Sequence, residues 1–299
     1  MSDDTYSDCT LKVIDSAGNV SNILSITSFT VDRTAPTITQ VTAVTTPTND
    51  TTPNYTFSSS EAGTISYGGS CSSSTTSATT GNNTITLVSL SEGTYSDCLI
   101  TVTDNANNNV TLNMNSFAIE TTAPTVLSIS PSDNQRNVSM SDNITLTFSE
   151  PIDNSSLTIN TTNTSCSGTV QISSNNFSSC IQISSSSMST NSENIFSIDL
   201  PDDLTHSTTY KVKLSTGIKD KAGNTLGSQF ETSNGFTTSG IFVVGNRSQS
   251  IFTSYDNATK IWKRRRYVSG NDIYNINYAN NLYVAVGNSG FILTSTDLN

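Results

Sequence analysis

The only histidine of this 299-residue chain is His206, in Asp202-Asp203-Leu204-Thr205-His206-Ser207-Thr208-Thr209-Tyr210. A hydroxyl nucleophile, an imidazole base and a carboxylate are the parts of an acyl-transfer triad. Serines and aspartates are everywhere in this sequence, yet no spacing singles out a set and no G-x-S-x-G elbow is present. His206 is therefore expected to be a loop histidine. Glycoside hydrolysis needs two carboxyl groups flanking one bond, for which Asp202, Asp203 and Glu150 are the candidates. Adjacent residues of an extended chain point to opposite faces, so Asp202 and Asp203 are poorly placed to act together. There is no Walker loop, dinucleotide fingerprint or H-E-x-x-H. The chain is expected to hold no catalytic or cofactor-binding residue and not to be an enzyme.

Charge narrows the partners. The net charge is -11 and the first 210 residues hold only Lys12, Arg33 and Arg136 as cations, so the surface repels phosphate backbones and nucleic acid is excluded. The basic run Lys263-Arg264-Arg265-Arg266 reads as a solvated loop rather than an anion site. No apolar run approaches a membrane span, so no direct membrane insertion is expected of this segment. Met1-Ser2-Asp3-Asp4 lacks the basic and apolar parts of a signal peptide. Serine, threonine and asparagine dominate, which favours strands and turns; disorder is the competing reading, and Ser184–Ser187 fits it locally.

The elements that position these residues follow from an internal repeat. Residues 5–36, TYSDCTLKVIDSAGNVSNILSITSFTVDRTAP, match residues 94–124, TYSDCLITVTDNANNNVTLNMNSFAIETTAP, with one single-residue gap. The two Thr-Ala-Pro junctions lie 88 residues apart, the size of a small β-sandwich. In each copy Cys9, Leu11 and Val13, or Cys98, Ile100 and Val102, alternate with more polar residues, so these side chains are expected on the core face of a strand. Asp15-Ser16-Ala17-Gly18-Asn19 or Asp104-Asn105-Ala106-Asn107-Asn108 then closes a hairpin, and the proline junction is a stiff linker. Residues 1–34 read as the C-terminal hairpin of a truncated repeat and 35–121 as a whole one. On that reading the chain starts in mid-domain and Met1 is an internal or miscalled start.

These carriers, with Gly93-Thr94-Tyr95 and the junctions Asp32-Arg33-Thr34-Ala35-Pro36 and Glu120-Thr121-Thr122-Ala123-Pro124, resemble the bacterial Ig-like domains that form tandem arrays in adhesins. Residues 122–239 resemble the variant found in surface-layer and polysaccharide-acting proteins, on Pro131, the strand Ile144–Phe148 leading into Ser149-Glu150-Pro151, the strand Tyr210–Leu214 and the turn Asp220–Asn224. Residues 240–299 change period: Gly245 aligns with Gly287 and Asp256 with Asp297. There Ser254, Asp256 and Trp262 resemble the Asp-box turn of sialidase-like propellers, a structural turn, although Ala258 stands where glycine is usual. The expected fold class is thus all-β: tandem immunoglobulin-like β-sandwiches followed by an incomplete, poorly packed β-propeller-like segment.

The five cysteines show no metal-ligand spacing. Cys71 and Cys98 share one repeat and Cys166 and Cys180 the next, so each domain can close its own disulfide; Cys9 aligns with Cys98, and its partner would lie in the lost part of the first repeat. Disulfides imply an extracellular or cell-surface location, against the alternative of buried free thiols in a cytosolic protein. The resemblance also implies calcium at the junctions as the candidate cofactor, with Asp15, Asp32, Asp104, Glu120 and Asp220 as its candidate ligands; no other cofactor is expected. The expected function is a structural or adhesive spacer, a monomeric segment of a longer chain, with a surface protein or glycan as partner. The alternative is an accessory region of a secreted carbohydrate-active or sugar-binding protein whose propeller carries the activity. Direct glycan binding by the sandwiches lacks an aromatic platform, since the lone tryptophan, Trp262, lies in the tail.

Overall fold

Threonine and β-branched residues at alternate positions give one half-buried strand after another, and the described residues are all-β, with a turn of 3-10 helix at Asn154–Ser156. The computed structural model describes residues 1–140, 142–162, 165–183, 188–200, 204–240, 242–245, 250–254, 263–267, 272–279, 282–288 and 292–295. It divides into two compact units, Met1–Thr122 and Ala123–Asn299.

In the first unit, Asn54–Ser59 lies between Ile38–Thr42 and Gly81–Thr86 in one antiparallel sheet. A second sheet runs Asn109–Asn113, Leu99–Thr103, Gly63–Gly68, Ser77–Ala78. Period-2 alternation puts Tyr55, Phe57, Ile85, Ile100 and Val102 into one core, all buried, together with Phe117 and Ile119 of the short ladder that pairs Gly93–Tyr95 with Phe117–Ile119. Gly63 is needed where the two strands meet: a Cβ there would stand 2.4 Å from the carbonyl oxygen of Thr103.

The hairpin of residues 4–31 copies the hairpin of 93–119 in backbone detail. Asp4–Tyr6 pairs with Phe29–Val31, and Thr10–Leu11 with Leu24–Ser25, as their counterparts do. Its burial does not follow. Leu11 and Val13, expected on a core face, are exposed, and Cys9 is only half-buried. The alternation is right, but among the described residues no second sheet lies across this face.

In the second unit a sheet of Val126–Ser130, Ile144–Phe148, Ile195–Ile198 and Met188–Ser192 faces one of Val170–Ser173, Thr209–Leu214 and Phe230–Glu231, with Phe236–Thr237 pairing the start of Thr209–Leu214. Ile144, Leu146, Phe148, Val170, Ile172, Phe196, Ile198, Val212 and Leu214 form its core. Beyond it come two open three-stranded meanders: Phe242–Gly245, Ser250–Ser254 and Lys263–Tyr267, then Ile273–Ala279, Leu282–Gly287 and Ile292–Ser295. The basic run is thus a strand, paired with Ser250–Ser254, and not the loop its charge suggested.

Candidate functional site

Three devices recur along the chain, each built from polar or aromatic residues. The first is a five-residue turn. The Oδ1 atom of Asp15 accepts from the backbone nitrogens of Ala17 and Asn19 at 3.0 and 2.8 Å, while Asn19 Nδ2 donates to Oδ2 at 2.8 Å. Asp104 does the same with Ala106, Asn108 and Asn108 Nδ2 at 2.8, 2.9 and 2.9 Å. Asp220 repeats it with Gly223, Asn224 and Asn224 Nδ2 at 2.7, 2.9 and 2.8 Å. The fourth residue of each turn is left-handed: Gly18, Asn107 and Gly223 have φ of 87°, 71° and 99°. Glycine and asparagine tolerate that region best, which is why the motif is spelled with them.

These bonds favour the ionised carboxylate. Asn19, through its side chain and then its backbone, holds the Asp15 carboxyl below its usual range. At Asp104 burial is the largest single influence and pushes upward, but the bonds from Asn108, Ala106 and Asn107 together outweigh it, so this carboxyl is lowered too.

The second device is a tyrosine stacked on the phenylalanine directly opposite in the closing ladder. The Tyr6–Phe29 and Tyr95–Phe117 ring centroids are 5.4 Å apart in both copies, and Tyr210–Phe236 is 5.9 Å. The hydroxyls of Tyr6 and Tyr95 donate to the carbonyls of Ser2 and Ser91, and that of Tyr210 accepts from the Thr205 nitrogen at 3.0 Å. The third is a carboxylate that clamps the linker threonines. Glu92 accepts from the Thr121 nitrogen and hydroxyl and from the Thr122 hydroxyl, and the Thr121 hydroxyl leads in holding its carboxyl below the ordinary range. Asp3 fills this role in the first copy, accepting from Arg33 and Thr34. Neither clamp was foreseen, although the aligned positions of Asp3 and Glu92 were open to view.

Of the calcium candidates, the structure brings Asp32 and Asp104 together and adds Glu61: one carboxylate oxygen from each lies within 4.8 Å of the others. Asn108 links the first two, since its Nδ2 donates to the Asp32 carbonyl at 3.3 Å as well as to Asp104. Glu61 arrives because Gly63 lets its strand approach Thr103, next to Asp104. Among the described residues no cationic side chain pairs with the three. Hard oxygen ligands of this kind suit calcium, but calcium takes six to eight of them and Asp104 already spends both oxygens on its own turn, so the fit is partial. Asp15 joins no such group among the described residues. Glu61 was missed because nothing local in Ser59-Ser60-Glu61-Ala62-Gly63 announces its neighbours.

Both disulfides form as the repeat predicts, Cys71–Cys98 and Cys166–Cys180, and Cys9 is free. A residue the sequence did not flag organises the second bridge. Asn160 is fully buried; its Nδ2 donates to the carbonyls of Thr162, Cys180 and Ile181, and its Oδ1 accepts from the nitrogen and hydroxyl of Ser167.

His206 sits in a turn with Nδ1 3.3 Å from the Ser239 carbonyl, and burial pushes its pKa down. Asp202 and Asp203 lie outside the described residues, as do Asp256 and Trp262 of the expected Asp-box; Ser254 ends a meander strand. A surface cleft bounded by Pro124, Val126, Leu226, Gln229 and Phe230 contains no ionisable side chain, so it offers no acid, base or charged anchor.

Residues 120–238 match the model of the family described as bacterial Ig-like domain. Among solved structures the chain is similar to the N-terminal part of the bacterial S-layer protein SbsC, at 17% identity over 58% of this chain and 42% of that one, with a TM-score of 0.28. It is also similar to the LD transpeptidase LdtMt1 in complex with imipenem, at 13% identity over 58% of this chain and 74% of that one, with a TM-score of 0.26. The chain therefore spans less than half of the SbsC structure. No curated protein matches.

Proposed function

We propose that this chain is a non-catalytic structural or adhesive spacer of a secreted or cell-surface bacterial protein. The observation that carries the reading is the recurrence of one closing device, an Asp–Asn turn with a tyrosine–phenylalanine stack, in three hairpins. Its polar groups are spent on their own turns and linkers. Among the described residues they do not converge on a cleft, which suits a module selected for stiffness rather than chemistry. The match of residues 120–238 to a bacterial Ig-like domain supports the same reading. So do the two disulfides, which persist in oxidising compartments.

A surface protein or a glycan is the partner class such a spacer meets, and the chain itself acts as a monomeric segment. In the tail, Ser250–Ser254 and Ile292–Ser295 begin 42 residues apart, a blade-like spacing that supports propeller-type repeats there. Pulling the whole chain from its ends in a single-molecule force measurement tests the spacer reading. Separate force peaks for the two sandwich cores are expected, together with no turnover of glycosides or peptides. Loss of resistance in one low-force event, or a hydrolytic activity that survives purification, would refute it.

A further inference from the structure

The two copies of the hairpin share their backbone and differ in what covers them. Ile100, Val102, Met114 and Phe117 are 0, 0, 5 and 1% exposed, whereas the aligned Leu11, Val13, Ile26 and Phe29 are 51, 62, 43 and 36% exposed. Register is the same in both: the Ile26 nitrogen donates to the Cys9 carbonyl at 2.9 Å, as the Met114 nitrogen does to Cys98. Leu24, opposite Leu11 in the ladder, adds to the same face and is also exposed. The second hairpin is covered by residues 37–90, which supply Ile38, Tyr55, Phe57 and Ile85 to the shared core and Cys71 to bond Cys98.

We propose that the core-side face of the 4–31 hairpin is a docking surface for a polypeptide half-sandwich of the kind formed by residues 37–90, and that the occupant carries a cysteine that joins Cys9 in a disulfide. The occupant's chemistry follows from the face. It must present alternating aromatic and β-branched residues from an antiparallel sheet, because four apolar positions at strand spacing have to be covered at once. It must also bring a thiol to Cys9, which stands where Cys98 stands and is the free cysteine of the described residues. A second copy of the chain is a poorer occupant. Its own half-sandwich is already filled by Gly93–Ile119, and displacing that hairpin would uncover the buried Ile100, Val102 and Phe117.

Bond formation needs a low-molecular-weight disulfide as oxidant. The Cys9 thiolate attacks one sulfur of oxidised glutathione and expels one glutathione thiolate. The occupant's thiolate then attacks the Cys9 sulfur of the mixed disulfide and releases the second, so two protein thiols lose two electrons and two protons and two glutathiones gain them.

The probe is a synthetic peptide of residues 35–92, whose one cysteine is Cys71, added to the full chain in a glutathione redox buffer. A Cys9–Cys71 cross-link, identified by mass spectrometry, is expected to form on the order of tenfold faster than with a scrambled peptide of the same composition, because docking raises the effective thiol concentration. Leu11→Asp, a change at an exposed position that leaves both folded cores untouched, should abolish that advantage. Equal rates with the scrambled peptide, or no effect of Leu11→Asp, would overturn the proposal. So would a concentration-dependent dimer that Leu11→Asp dissolves, which would assign the face to self-association. Should the free peptide aggregate, the same segment fused ahead of Met1 gives a second readout. Cys9 should then pass from alkylated to blocked, and continued alkylation counts against the docking surface.

Discussion

Replacing Cys71 and Cys98 together by alanine should destabilise one core and leave the other alone. The bridge spans 27 residues and that between Cys166 and Cys180 spans 14. Loop-closure entropy of the unfolded chain then assigns roughly 3.5 kcal/mol to the first and about 3 kcal/mol to the second at 25 °C. The first bridge closes a loop that itself carries Ser77–Ala78 into one sheet and Gly81–Thr86 into the other, so the unbridged chain must find both pairings by diffusion. For a core of this size the loss corresponds to a fall in melting temperature of roughly 15–25 °C. Calorimetry of the full chain, with each transition assigned by limited proteolysis and mass spectrometry during the melt, reads the effect. The transition of the 37–119 core should move and that of the 138–236 core should stay. Should both move together, the domains are not independent modules; should the first move by less than about 5 °C, native packing and not loop closure holds this core.

Acid should separate the two cores as well. Burial lowers the His206 pKa below 6.5, so the unfolded state binds the proton first; stability of the core that contains it is full above pH 6.5 and declines as pH falls through the folded value. The 37–119 core holds no histidine and should stay unchanged until its lowered carboxylates, Glu92 and Asp104, protonate below about 4.5 and 3.8. A pH series of melting temperatures with His206→Gln, which should remove the first step, checks this. Asn160→Ala should lower the unfolding free energy of the 138–236 core by about 2–3 kcal/mol, read from a denaturant melt, because it strips partners from buried carbonyls and from Ser167, and should quicken reduction of Cys166–Cys180. Glu61→Gln should raise the melting temperature of the 37–119 core in chelator by roughly 1–2 °C, since it removes one of three neighbouring like charges. Calcium should bring the parent protein towards the variant, and a melting temperature indifferent to both changes would remove the cluster from consideration.

The recurring devices give the spacer reading its physical content. Glu92 holds the hydroxyls of the two threonines that end the first unit, and a tyrosine stacked on the last strand ties the closing ladder into the core. Stiffness of this kind is spread over many small contacts.

Strand after strand, the two Asp–Asn turns of the repeat and the pairing of four of the five cysteines were determined by the sequence itself, because each depends on residues two to five apart or on an internal copy to compare with. Tyr95 and Phe117, aligned with Tyr6 and Phe29, could be seen to repeat, though not to stack. Burial was beyond its reach. Cys9, Leu11 and Val13 carry the same alternation as Cys98, Ile100 and Val102, yet one face is covered and the other open, since alternation fixes which way a side chain points and only a second sheet decides what it meets. The basic run at Lys263–Tyr267 went unrecognised as a strand for the same reason, its pairing being set by Ser250–Ser254. Glu61 beside Asp32 and Asp104, and Asn160 holding the Cys166–Cys180 loop, arise from contacts between segments distant along the chain, and such contacts exist only once the sheets have folded.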